Sequence, residues 1–238
     1  MRRRAFIAGA AGLLVPAPAL ALMQVTQLTG FGGRSGPPSF ELASHNESDA
    51  GSPYSFASSD LAEGTAFDLW VIFLSADGGS ASRVASNVTI DGVSATNRGR
   101  FGSGDNCQNE VWTAAATANA SGTVAFEWSG TPSRGGYCLY RVRNGVYSST
   151  GGEASPPISV SVSMPANSVL LAGTVAHNST GITWTGVEED VDAALSGTPD
   201  DHHGSGSRAF LNANASHTLE ASYATSGTVA AMNYVVII

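Results

Sequence analysis

"TVAFEWSG", residues 123–130, decides the fold class. Val124, Phe126 and Trp128 fall on one side of an extended chain, and Ala125, Glu127 and Ser129 on the other. That period of two is the mark of a half-buried strand. Upstream, "NVTIDGVSAT" (87–96) reads as a hairpin. Val88 and Ile90 lead into Asp91-Gly92, a pair favoured in two-residue turns, and Val93 begins the return. Downstream, Tyr137–Val142 runs back from the quoted strand, and Ile158, Val160, Val162 and Met164 alternate with serines. Phe67–Leu74 and Val169–Ala176 are apolar at nearly every position, which predicts strands covered on both faces. Val25–Phe31, Ser39–Ala43, Ile182 with Trp184, Ala209–Leu211, Leu219–Tyr223 and Val229–Ile238 complete the set. The alanine-rich stretch 112–121 has strand-like flanks and is read as strand, because a solitary helix of that length is marginal.

Turn-forming residues punctuate the chain every 8 to 12 positions, the spacing of an all-β sandwich. The expectation is an all-β protein: one jelly-roll-like antiparallel β-sandwich spanning residues 22–238. No repeat period is evident. "YSSTGGEASPP" (147–157) reads as an internal linker or long crossing loop.

All 11 basic residues are arginine, so lysine-dependent chemistry is excluded: Schiff bases, a P-loop lysine, a lysine general base. The chain carries 19 acidic residues and a net charge of −8. That balance repels phosphate backbones and anionic lipid, so no nucleic-acid partner is expected. Arg98, Arg100, Arg134, Arg141 and Arg143 cluster centrally and are read as edge-strand and loop charges that discourage aggregation.

Residues 1–21 have the parts of an export signal: Arg2, Arg3 and Arg4, a short apolar run Ile7–Val15, and Ala19-Leu20-Ala21 as a cleavage site. The run is far too short for a membrane span. Arg3-Arg4-Ala5-Phe6-Ile7 resembles the twin-arginine export signal, which implies a periplasmic or extracellular product. Met23 offers a competing start, under which the leader is incidental.

No Gly-x-Ser-x-Gly, His-Glu-x-x-His, phosphate loop or Cys-x-x-Cys occurs. His45, His177 and His217 stand isolated in sequence and read as surface or satisfied strand residues. The dense polar run is "GVEEDVDAALSGTPDDHHGSGS" (186–207), read as a solvated turn. Within it Asp190, Asp192, His202 and His203, beside the aromatic face of Trp184, form the candidate glycan-binding set. Its ligand spacing matches no metal template, so neither metal nor cofactor is expected. A carboxylate pair there would also suit a glycosidase. Cys107 and Cys138 are the only cysteines, and in an exported protein they form a candidate disulfide.

Four stretches in order, "VTIDGVSAT", "SGTVAFEWSGTPSRGGYCLYRVRNG", "ISVSVSMPANSVLLAGTVAHNSTGITWTGVEEDVDA" and "GSRAFLNANASHTLEASYATSGTVAAMNYVVI", carry a resemblance. Over residues 67–238 the chain resembles a loosely described group of phage and prophage virion proteins. The resemblance implies a jelly-roll-like module on a phage-like or gene-transfer particle, as spike, fibre or decoration. It also implies other particle proteins as partners, contact with cell-surface polysaccharide, homo-oligomerisation and no catalytic residues. An exported carbohydrate-binding module is the alternative, and a secreted glycan hydrolase the third reading.

Overall fold

The computed structural model describes residues 36–78, 83–103, 107–130, 132, 134–154, 156–195, 200–225 and 228–238. The leader 1–21 and the strand expected at Val25–Phe31 lie outside them. The described chain is all-β and antiparallel, as the alternation predicts, and residues 36–238 form one compact unit. No helix among the described residues is long and apolar enough to cross a membrane.

The first half runs β1 (Ser39–Ser48), β2 (Tyr54–Asp60), β3 (Leu69–Asp77), β4 (Ala85–Ile90), β5 (Val93–Ser94), β6 (Thr96–Ser103), β7 (Cys107–Ala115), β8 (Ser121–Trp128) and β9 (Arg134–Arg143). The second runs β10 (Tyr147–Glu153), β11 (Ile158–Met164), β12 (Ser168–His177), β13 (Ile182–Thr185), β14 (Glu188–Ala194), β15 (Asp201–Phe210), β16 (Asn214–Tyr223) and β17 (Val229–Ile237). The strands pair into four sheets: β1-β9-β3-β7-β6, β2-β8-β4-β5, β10-β17-β12-β15-β14 and β11-β16-β13.

These orders are one pattern written twice. Replacing β1, β2, β3, β4, β6, β7, β8 and β9 by β10, β11, β12, β13, β14, β15, β16 and β17 turns the first pair of sheets into the second, with only β5 left over. The sandwich expected from sequence is therefore present as two sandwiches of the same strand order. The stretch read as a linker, 147–157, contributes β10, the opening strand of the second sandwich, paired with β17.

Each sandwich has its own core. In the first, Trp70, Ile72 and Leu74 of β3 pack with Leu139 of β9 against Val124, Phe126 and Trp128 of β8. In the second, Leu170 and Ala172 of β12 and Met232 and Val236 of β17 meet Ile158, Val162 and Leu219. The two five-stranded sheets then pack on each other through a third core, which includes Val71, Phe73, Val142, Val169, Leu171, Val235 and Ile237. The molecule is a stack of four sheets. β3 and β12 sit at the centres of the two inner ones, which is why both read as continuous apolar runs. The expected hairpin is also present: Ile90 pairs with Val93, and Asp91 and Gly92 have φ of 51° and 77°, the left-handed pair a tight turn needs.

Candidate functional site

The seam between the inner sheets changes character along its length. One end is apolar. There Phe73 of β3 lies over Gly173 of β12, and a Cβ at Gly173 would strike the ring. Toward the other end the same strand faces carry Asp77, Cys107, Asn109, Arg134 and Cys138 from the first half, and His177, Asp201, His203 and Asn233 from the second. Registers relate the two lists. Asp77 lies opposite Arg134 and Cys107; His177 lies opposite Val229 and Asp201. Asp77 and His177 are thus equivalent positions, as are Cys107 and Asp201, Asn109 and His203, and Cys138 and Asn233. The contacts obey this pseudo-twofold: Asn233 Nδ2 donates to Asn109 O at 2.5 Å, while Cys138 Sγ lies 3.8 Å from His203 Nδ1.

On the pseudo-axis, two carboxylates share one buried pocket. Asp77 and Asp201 are both buried; His177 Nδ1 lies 2.8 Å from Asp201 and 3.3 Å from Asp77. The Arg134 guanidinium reaches Asp77 at 3.2 Å and also pairs with Asp201. Burial is the main force lifting the Asp77 carboxyl, and the neighbouring Asp201 carboxylate adds to it. His177 opposes them, and the net is a rise to about 6. Arg134 is shared between the two acids. Cys107 donates to Val229 O at 3.1 Å, and burial and Asp77 push its thiol well above the ordinary range. The cation that two carboxylates require is already built in as Arg134.

The second cluster lies at one corner of the seam. Glu47 Oε1 is 3.0 Å from His45 Nδ1 and 2.7 Å from His203 Nε2. His203 is buried, whereas the His45 and Glu47 side chains retain 44% and 21% exposure. Burial draws the His203 imidazole down, but Cys138 and Glu47 outweigh it and push it up to about 10. Burial likewise raises Glu47, and the two histidines overcome that, holding it below the usual carboxylate value. Cys138, His203 and Glu47 stand in the order nucleophile, base, orienting acid. Cys138 is 1% exposed, packed among Val71, Phe73 and Val142, so no face of the sulfur is open to a carbonyl.

A bulge aims this corner. In β1, Leu42 pairs with Tyr140 but Ser44 with Leu139, so Ala43 is an extra residue. Phe40 and Leu42 face the seam. Beyond Ala43 the phase inverts, and His45 and Glu47 face it instead of Ser44 and Asn46.

Of the candidate glycan set only Asp192 and His202 meet. Within the run 186–207 the described residues are mostly strand: β14 pairs antiparallel with β15 at the sheet edge, where a solvated turn was expected. On β15, His203 points into the seam and His202 to the opposite face, where its Nδ1 lies 2.6 Å from Asp192 Oδ1. Asp192 also accepts from Ile182 N at 3.1 Å. Asp190 is the extra residue of a bulge between Glu189 and Val191, and the Tyr140 hydroxyl donates to it at 2.7 Å. Trp184 is half-buried, packed against the second sandwich's core with its indole N–H buried.

The disulfide is corrected as well. Both cysteines are free. Cys107 flanks Asp77 and Cys138 flanks Phe73 on opposite sides of β3. Four residues at ~3.3 Å, plus two strand spacings, hold them far beyond the ~7 Å limit for bridging. Two of the five clustered arginines are internal, against their reading as surface charges. Arg134 holds the seam. Arg141 is fully buried, 2.9 Å from Asp68, and donates to the carbonyls of Leu61, Ala62, Thr65 and Thr117.

Sequence reasoning missed His45 and Glu47 as partners of His203. Their one local signal is His-x-Glu at strand spacing; the third member is 156 residues away from Glu47. Compared with known protein families, curated proteins and solved structures, the chain matches none.

Proposed function

We propose that this chain is a non-enzymatic structural component of a phage-like or gene-transfer particle, contributing a stiff four-sheet block to a spike, fibre or decoration. The observation that supports this reading is where the reactive side chains go. Cys107, Cys138, His177, His203, Asp77 and Asp201 are spent on one another along the seam, joining two sandwiches into one body. Buried, mutually satisfied polar groups specify one arrangement of a core and resist its rearrangement. The resemblance of residues 67–238 to virion proteins points the same way. Polysaccharide contact through Trp184, Asp190, Asp192, His202 and His203 is not part of the proposal, because of these groups only Asp192 and His202 meet, while Asp190 bonds Tyr140 and His203 turns into the seam.

The test is to separate a producing culture into particles, periplasm and supernatant and weigh the intact protein in each. A species starting at Met1 or Met23 that sediments with particles supports the reading. A species starting at Leu22, outside the cytoplasm and absent from particles, overturns it in favour of an exported module.

A further inference from the structure

We propose that His45, Glu47 and His203 form a binding site for a first-row divalent cation of the zinc class, which would clamp the edge strand β1 of the first sandwich to β15 of the second.

The donor set suits such an ion. Two imidazoles and one carboxylate is a known zinc combination, with ligand bonds of ~2.0–2.2 Å. Ligands at that distance in a tetrahedron stand roughly 3.3–3.5 Å apart. Here the three donor atoms lie within 4.8 Å of one another, two of the separations being 3.0 and 2.7 Å. Adjustments of a few tenths of an ångström suffice on the Glu47 side, and the exposed His45 is free to make them. The ring of His203 is already oriented by Cys138 at its other nitrogen, as ligating histidines are by an outer partner. Solvent reaches the cluster from the His45 side, which supplies an entry path and a fourth position for water.

The duplication provides an internal comparison. At the pseudo-equivalent corner, Asn109 stands for His203 and Asn233 for Cys138. Gly152 and Ala154 stand for His45 and Glu47. That corner is filled by hydrocarbon: Phe101, which pairs with Asn109, lies against Gly152, where a Cβ would strike it. In the His45 corner the residue matching Phe101 is Ala193, which pairs with His203. Gly136 sits against the His203 ring. One scaffold thus carries a corner plugged by an aromatic ring and one that lacks the ring, where Leu195 lies beside Gly136, and three ligand-type side chains meet only in the second. The bulge at Ala43 is the device that turns two of them inward.

The experiment uses the full chain, stripped with a chelator and titrated with Co2+ as a visible probe. The expected result is saturation at one equivalent per chain with a tetrahedral-type spectrum, displaced by one equivalent of Zn2+. His45→Ala and Glu47→Gln, both on an exposed edge strand, each weaken binding more than tenfold. They also abolish the rise in Tm that Zn2+ gives the unsubstituted protein. His203→Asn, which imports the residue of the plugged corner, does the same; if it fails to fold, the two β1 variants decide. Absence of saturable binding at micromolar Co2+ overturns the proposal. So does binding that survives both β1 substitutions, or that is lost only with Asp77→Asn, since each places the ion elsewhere.

Discussion

Asp77 shows how a single side chain in the seam carries a cost as well as a contact. Its carboxyl is lifted to about 6, above an ordinary value of 3.8, by burial and by Asp201. Between those two values the folded protein binds more protons at this position than the unfolded chain does. Stability therefore falls as pH rises through that window. Asp77→Asn keeps an acceptor for Arg134 and removes the repulsion. Relative to the unsubstituted protein, the variant is expected to gain on the order of 2 kcal/mol as pH goes from about 4 to 6, and to change little outside that range. Urea unfolding at pH 3.5, 5 and 7 reads this directly. A gap that stays constant with pH would mean that Arg134 and His177 fully offset the second carboxylate.

At the level of strands, the contact of β3 with β12 is a knob in a hole: Phe73 occupies the space that a side chain at position 173 would need. Gly173→Ala is expected to cost about 1–3 kcal/mol through overpacking, and Phe73→Leu added to it should recover part of the loss. Chemical denaturation of the two singles and the double closes the cycle, and additivity would show that ring and glycine do not press on each other. The inner strands were legible in sequence because burial on both faces leaves an unbroken apolar run, as in 69–74 and 169–172. What escaped were β2, the edge strands β6, β10 and β14, and most of β15, an inner strand whose Asp201–Ser207 belong to the polar run read as a turn. An edge strand pairs on one side only and exposes many of its residues, so "YSSTGGE" and "EEDVDAA" lack the alternation that marks a covered strand. The candidate site was less legible still. Strand period places His45 and Glu47 on one face, but the bulge at Ala43 decides which face, and no sequence pattern announces it. Their partner His203 was noticed beside His202, yet adjacency along a strand sends neighbouring side chains to opposite sides. The charge run drew the eye to β14, while the groups that meet come from different halves.

For the whole molecule, the seam implies that neither sandwich is self-sufficient. Cut between Asn144 and Val146, each part would present a sheet face bearing Val71, Phe73, Tyr140 and Val142, or Val169, Leu171, Val235 and Ile237, to water. Contiguous apolar faces of that kind drive association. Residues 1–145 and 146–238 expressed separately are expected to aggregate, and co-expressed to recover as a soluble one-to-one complex with the circular dichroism of the intact chain. A soluble, cooperatively folded monomer from either part would mean that the seam is an accessory contact between two independent domains.

The mismatch of Phe73 and Gly173 has one more consequence. Where two identical surfaces meet, anything that suits one copy suits the other, and repeated units can join their own kind on neighbouring chains. Here a first half meeting another first half would set ring against ring, and a second half meeting another second half would leave a void. The fit is directional, like a plug that accepts only its socket. Many copies crowded side by side would still find each half satisfied within its own chain.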